Sequence, residues 1–139
     1  MRLLSLTAAF LLGSVLGAAP TLAQEAAAKT GDPAAGEKIF AQCKACHQIG
    51  EGAKNAVGPV LNGIIGRHSG TYEGYNYSAA NKNSGITWDE TTFREYIKDP
   101  KAKIPGTKMI FAGVKDDKRI DDLLAYLKQF DASGKKVTQ

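Results

Sequence analysis

Cys43-Lys44-Ala45-Cys46-His47 is the stretch that decides this chain. It reads C-x-x-C-H, the attachment sequence for a covalently bound haem of the c type. Two thiols at that spacing each form a thioether to one vinyl group of a single porphyrin. His47 follows at once, so its imidazole reaches the iron from the same side. The sequence has only two cysteines, and one haem uses both. Other uses of the pentapeptide fit less well. A thioredoxin-like pair sits near a βαβ pattern, which this chain lacks. Structural zinc takes four ligands from Cys and His. Cys43, Cys46, His47 and His68 barely reach that number, and adjacent Cys46 and His47 make awkward corners of one tetrahedron. A plain disulfide leaves His47 without a task.

Residues 1–23 read as a secretory signal. Arg2 is the positive start, Leu3 to Leu16 an apolar run, and Thr21-Leu22-Ala23 a small-residue cleavage site. The run is shorter than the ~20 residues that a membrane-spanning helix needs. A retained anchor is the alternative. The expected location is therefore the bacterial periplasm, where free thiols tend to oxidise and thioethers do not. Residues 24–139 form one domain by length, with a core over about 31–130. The whole chain has 18 basic and 14 acidic residues. Without Arg2 the balance is 17 to 14, about +3. That suits an acidic protein partner, and no basic run or RNA-binding motif points to nucleic acid.

The pattern predicts an all-α domain with long loops. Gln24 to Gly31 is a loose leader of small residues. Asp32-Pro33 opens a helix that carries Ile39 and Phe40 toward the cysteines. Gly50 to Gly74 is glycine-rich and irregular; a loop this long needs something rigid to wrap around. Asn76 to Asn83 forms a short helical turn. Thr87-Trp88-Asp89-Glu90 reads as a capping box opening a helix through Phe93, Tyr96 and Ile97, ended by Pro100. Lys101 to Gly113 returns to loop. A last helix spans about Asp116 to Phe130, with Ile120, Leu123, Leu124, Leu127 and Phe130 at helical spacing. Asp131 to Gln139 reads as a frayed polar tail.

Haem iron has two axial positions, and the ligand opposite His47 separates electron transfer from ligand chemistry. The sequence has two methionines, Met1 and Met109. Met109 lies in a loop between helices, where its thioether can reach across a porphyrin. On the residues alone, His68 competes for the same position, and Met109 filling core space is a third option.

The chain from Gly31 to about Phe130 resembles a class I cytochrome c, close to the mitochondrial cytochrome c and bacterial cytochrome c2 group. The motifs that carry the likeness are Cys43 to His47, Gly58-Pro59, Gly66-Arg67, Asn81-Lys82-Asn83, Gly85-Ile86-Thr87-Trp88, Ile104 to Gly113, and Leu123-Leu124-Ala125-Tyr126-Leu127. The resemblance implies three to five helices wrapped around one covalent haem c, with His47 and Met109 as axial ligands. It also implies that the Pro59 carbonyl accepts the other N–H of His47. By the same likeness, Arg67, Tyr77 and Trp88 hold haem propionates, and Asn81, Tyr96 and Thr107 form a polar cluster near the methionine sulfur. His68 then falls in a variable surface loop. Three departures stand out. The segment between Phe40 and Cys43 is one residue shorter than in the mitochondrial proteins. Gln42 replaces a common lysine, and Asp116-Asp117 replace more basic positions.

Two strong-field axial ligands would leave no open coordination position, so the implied function is one-electron transfer and not catalysis. An open sixth position, as in a haem enzyme or gas sensor, is the alternative if Met109 stays off the iron. The resemblance places Lys44, Lys54, Lys101, Lys103, Lys108 and Lys115 around the haem edge, with Phe111 nearby, as a docking surface for an acidic partner. The implied partners are a cytochrome bc1 complex as donor and a cytochrome oxidase or photosynthetic reaction centre as acceptor. Contacts with these membrane proteins would be transient, and the carrier itself a monomer.

Overall fold

The computed structural model describes residues 31–137. The expected signal (1–23) and nearly all of the leader lie outside the described residues. Five helices follow in order: α1 (Pro33–Phe40), α2 (Ala79–Lys82), α3 (Glu90–Lys98), α4 (Pro100–Lys103) and α5 (Asp117–Leu127). Among the described residues there is no β-strand, only isolated bridges between His68 and Thr87 and between Phe130 and Lys136. The fold is all-α, as the sequence patterning requires.

Helices α1 and α5 cross and form the base of the core. Asp32 caps α1 by accepting from the Ala34 N–H at 2.8 Å, and Pro33 occupies the first turn, where its missing N–H costs nothing. Asp116 caps α5 through the Arg119 N–H at 2.8 Å. The crossing is close because Gly36 has no side chain. A Cβ there would lie 1.9 Å from the Asp122 carbonyl oxygen. The Phe40 and Tyr126 rings then stack with centroids 5.3 Å apart. Ile120, Leu123, Leu124 and Leu127 are fully buried on the inner face of α5.

Two adjacent carboxylates of α5 are buried, and each has a cation. Arg94 of α3 pairs with Asp121. Lys118 meets Asp122 at 2.5 Å, and Asp122 also accepts the Asp32 N–H at 2.7 Å. These bonds favour the charged form, so Lys118 first and then Asp32 hold the Asp122 carboxyl below its ordinary value. A depressed folded value adds stability above the unfolded pKa, and that stability is lost as pH falls through the folded one. Asp122→Asn is expected to flatten the acid limb of the stability curve below pH ~4, the ordinary carboxylate range. Urea midpoints of parent and variant measured across that range check this. Parallel curves would show that the pair adds nothing.

The structure differs from the sequence reading at several element ends. The N-cap of α3 is Asp89, which accepts the Thr92 N–H at 2.7 Å. The Thr87 hydroxyl instead meets His68 Nδ1 at 2.8 Å, a tertiary partner that local sequence cannot reveal. Pro100 ends α3 but also starts α4, because Asp99 caps the new turn through the Ala102 N–H at 3.1 Å. The loop expected from Lys101 therefore begins after Lys103. Helix α5 stops at Leu127, and the chain tightens into i→i−3 bonds such as Phe130 N–H to Leu127 O at 3.2 Å. The tail expected to fray is instead folded back as far as Val137, whose N–H reaches Gln129 O at 2.8 Å.

Candidate haem site

A cavity of about 360 Å³ opens above the α1–α5 crossing. Its floor is apolar, with Phe40, Ile64, Leu123 and Leu127 among the lining side chains. All eleven residues that the resemblance assigned to haem line this one cavity: Cys43, Cys46, His47, Pro59, Arg67, Tyr77, Asn81, Trp88, Tyr96, Thr107 and Met109. Residues from 40 to 127 in sequence converge there, which no local signal enforces.

The proximal wall is built locally. After α1 the chain turns once more, with Cys43 N–H to Phe40 O at 2.8 Å and His47 N–H to Cys43 O at 2.9 Å. That extra turn sets the two sulfurs and the imidazole on one side. The His47 ring lies flat on the backbone of Gly58, where a Cβ would come within 2.4 Å of the ring carbon Cε1. Its Nδ1 is 2.7 Å from the Pro59 carbonyl oxygen, an acceptor only. Nδ1 therefore carries the proton, and Nε2 keeps a free lone pair. Burial lowers the His47 pKa, Arg67 adds to this, and the Pro59 bond opposes it. The ring is thus held in the neutral form that a metal ligand needs.

The cysteines fit thioether attachment better than the alternatives. Burial, with Cys46 adding, pushes the Cys43 thiol up to about 11. A redox-active pair needs the opposite, a depressed thiol. A zinc site fails too. His68 is exposed and bonded to Thr87, and the described residues contain no cluster of three or more His, Cys, Asp or Glu placed to hold a metal ion.

On the opposite wall the Tyr96 hydroxyl donates to Met109 Sδ at 3.3 Å and lies 3.4 Å from Thr107 Oγ1. Burial raises the Tyr96 pKa, so it stays a donor. Asn81 is buried within α2, where Ser78 Oγ at the N-cap donates to its Oδ1 at 2.8 Å. The Trp88 and Tyr96 rings pack at 4.8 Å. Arg67 is tied to backbone, with Nη1 to Asn62 O at 3.1 Å and Nη2 to Val60 O at 3.0 Å. Its guanidinium also sits 4.8 Å over the Tyr72 ring. These bonds fix the guanidinium at the cavity wall, close enough to Tyr77 to act on it electrostatically.

The candidate docking lysines are not equivalent. Lys108 lines the cavity and donates to Asn76 O at 3.1 Å. Lys44, Lys54 and Lys101 are exposed and away from the cavity lining. Lys103 is paired with Glu95 at 2.5 Å, and Lys115 donates to the Lys98 carbonyl. Phe111 lines the cavity and is half-buried. Sequence reasoning missed two large apolar lining residues that face water: Val57, 73% exposed, and Ile110, 88% exposed. Each adjoins a motif that was singled out, Gly58-Pro59 and Met109, and that adjacency was the one available signal. It also missed Ser78, which a polar residue just before a helical turn could have revealed.

A helical shell around an apolar slot, with a C-x-x-C-H turn on one wall and a thioether on the other, defines a covalent haem-binding protein. The description of the family named Cytochrome c matches residues 33–131. Cytochrome c2 of Blastochloris viridis is 66% identical over 122 residues, covering 88% of this chain and 96% of the relative. Cytochrome c-550 of Nitrobacter winogradskyi is 66% identical over 105 residues, covering 76% and 96%. Among solved structures, cytochrome cH from Methylobacterium extorquens superposes with a TM-score of 0.67 at 51% identity, covering 71% of this chain and 99% of that one. The chain belongs to the cytochrome c family. It carries one covalently bound haem c through Cys43 and Cys46, and it is an electron carrier, not an enzyme.

Proposed function

We propose that this carrier works in the periplasm with His47 and Met109 as the two axial ligands, after loss of residues 1–23 as a secretory signal. It would take electrons from a cytochrome bc1 complex and pass them to a terminal oxidase or a photosynthetic reaction centre. The observation that carries the ligand assignment is the cavity itself. A neutral imidazole with a free Nε2 lines it together with a thioether whose sulfur is oriented by Tyr96. Haem c, when bound, supplies a one-electron Fe(II)/Fe(III) couple. The protein's part is to hold both ligands still, exclude water and tune the balance between the two charge states. His/Met ligation and the apolar floor both favour the reduced, less charged form. The Tyr96 hydroxyl acts in the same direction by drawing electron density from the sulfur. Arg67, Tyr77 and Trp88 supply a cation and neutral donors, which buried propionates require. The test is the oxidised optical spectrum, where a long-wavelength sulfur-to-iron charge-transfer band is expected. Its absence would remove Met109 from the iron.

Docking follows from the cavity mouth. Val57 and Ile110 stand in water there, with the cation of Lys108 beside them. Lys44, Lys54 and Lys101 extend the positive surface. Such a field speeds encounter with an acidic partner and is screened by salt. The electron-transfer rate to the physiological acceptor is expected to fall roughly tenfold from low to physiological ionic strength. Stopped-flow kinetics over that range read it, and a flat profile would count against lysine steering. Lys103→Gln should matter less than Lys108→Gln, because Glu95 already compensates Lys103.

A further inference from the structure

We propose that Asn62 and Gly134 are positioning residues for the axial imidazole, acting through the segment that carries Pro59. The proposal rests on the reading of His47 as an iron ligand given above. Residues 46–50 and 58–62 are joined by a ladder of bonds. Gly58 N–H reaches Cys46 O at 2.8 Å, and Leu61 N–H reaches Gln48 O at 3.0 Å. Between these rungs lies the His47–Pro59 bond at 2.7 Å. Asn62 closes the far end. It is 5% exposed, accepts the Gly50 N–H at 2.7 Å and donates to Gly50 O at 3.0 Å.

The C-terminal turn is pressed against that closure. Asp131 Oδ1 gathers the N–H groups of Ser133 at 2.8 Å and Lys135 at 3.0 Å. This turn puts Gly134, with φ +87°, against the clamp, so close that a Cβ would lie 2.2 Å from Gly50 O and 2.6 Å from Asn62 Nδ2. Gly63 N–H is held from the same side by Phe130 O at 3.2 Å. Gly134 falls beyond residue 131, where the family match ends.

The consequence is electronic. A ligating imidazole becomes a stronger donor when its other N–H is tightly bonded. A stronger donor favours Fe(III). Loosening the ladder lengthens the His47–Pro59 bond and weakens the donor, which favours Fe(II). Asn62→Ala and Gly134→Val in the full-length holoprotein should therefore both raise the midpoint potential. Neither changes the charge of the chain. The Leu61 amide and the His47 Nδ1 proton should exchange about tenfold faster, the equivalent of one lost hydrogen bond. Gly31→Val is the control for lost stability alone. Its Cβ would sit 2.0 Å from Asp121 O, far from the ladder, so it should weaken the fold and leave the potential at the parent value. Gly134→Ala gives the same collision with less bulk if the valine variant does not mature.

A potential unmoved in Asn62→Ala and Gly134→Ala would overturn the proposal, as would an equal shift in Gly31→Val. Paramagnetic shifts of the His47 ring protons in the oxidised parent test the His47 ligand reading separately. If those shifts are absent, the exchange of the His47 proton still judges the brace.

Discussion

Met109→Ala is expected to abolish the sulfur-to-iron charge-transfer band and to lower the midpoint potential by at least ~0.1 V, a modest part of the about 0.8 V that axial ligands command. The reasoning is local. Under the proposed ligation the thioether is the soft ligand that favours Fe(II), and alanine cannot replace it. The fold should survive, because Met109 is only partly buried and its loop has other anchors. Thr107 N–H is bonded to Ile104 O at 3.0 Å, and Val114 N–H to Ile97 O at 2.9 Å. Tyr96 loses its sulfur acceptor yet keeps Thr107 Oγ1 at 3.4 Å. The opened position should bind small exogenous ligands such as azide or imidazole, which the parent resists. An unaltered spectrum and potential would mean that some other atom completes the coordination, and the electron-carrier mechanism would need a different ligand set.

Gly36→Val carries the largest expected effect on stability. Its Cβ would fall 1.9 Å from the Asp122 carbonyl oxygen and 2.7 Å from Tyr126 Cβ. Backbone cannot swing aside as a flexible side chain can. The two helices cannot simply separate, since Phe40 stacks on Tyr126 and the Asp32 N–H is bonded to Asp122. Overpacking in a tight core costs ~1–3 kcal/mol and occasionally more; collision with main chain belongs at or above the top of that range. For a domain of this size ~1 kcal/mol moves Tm by about 4–8 °C. A fall of more than ~12 °C in the thermal melt of the holoprotein is therefore expected. A near-parent Tm would show that the crossing has slack.

Much of this was legible in the chain because it is written locally. The C-x-x-C-H run places two thiols and an imidazole within five residues, so its chemistry needs no long-range information. Asp32-Pro33 and Asp116 announce the starts of α1 and α5 because caps act on the next two or three residues. The Asp89 cap of α3 was harder to place. Thr87 and Asp89 are both good caps, and the choice fell to Asp89 only because Thr87 has a partner 19 residues away. The same holds for the C-terminal turn. Its polar composition suggests a loose end, yet Gln129 and Asp131 tie it back, and Gly134 packs against Gly50 and Asn62 of a distant loop. The bonds of Arg67 to Val60 and Asn62, and the pairing of Lys103 with Glu95, were likewise invisible. These partners lie within eight residues of one another, and bends of the backbone that no local pattern announces hid them.

Val57 and Ile110 carry a consequence for turnover. Together they offer only a small share of the about 1,600 Å² that a standard stable complex covers. Attachment to a partner through so little apolar area would be easily reversed, and under the proposed docking salt-sensitive charges would supply most of the remaining attraction. A shuttle built this way has a short residence time at each end of its route. Enlarging that patch would slow dissociation, and throughput would drop even while each single transfer stayed as fast.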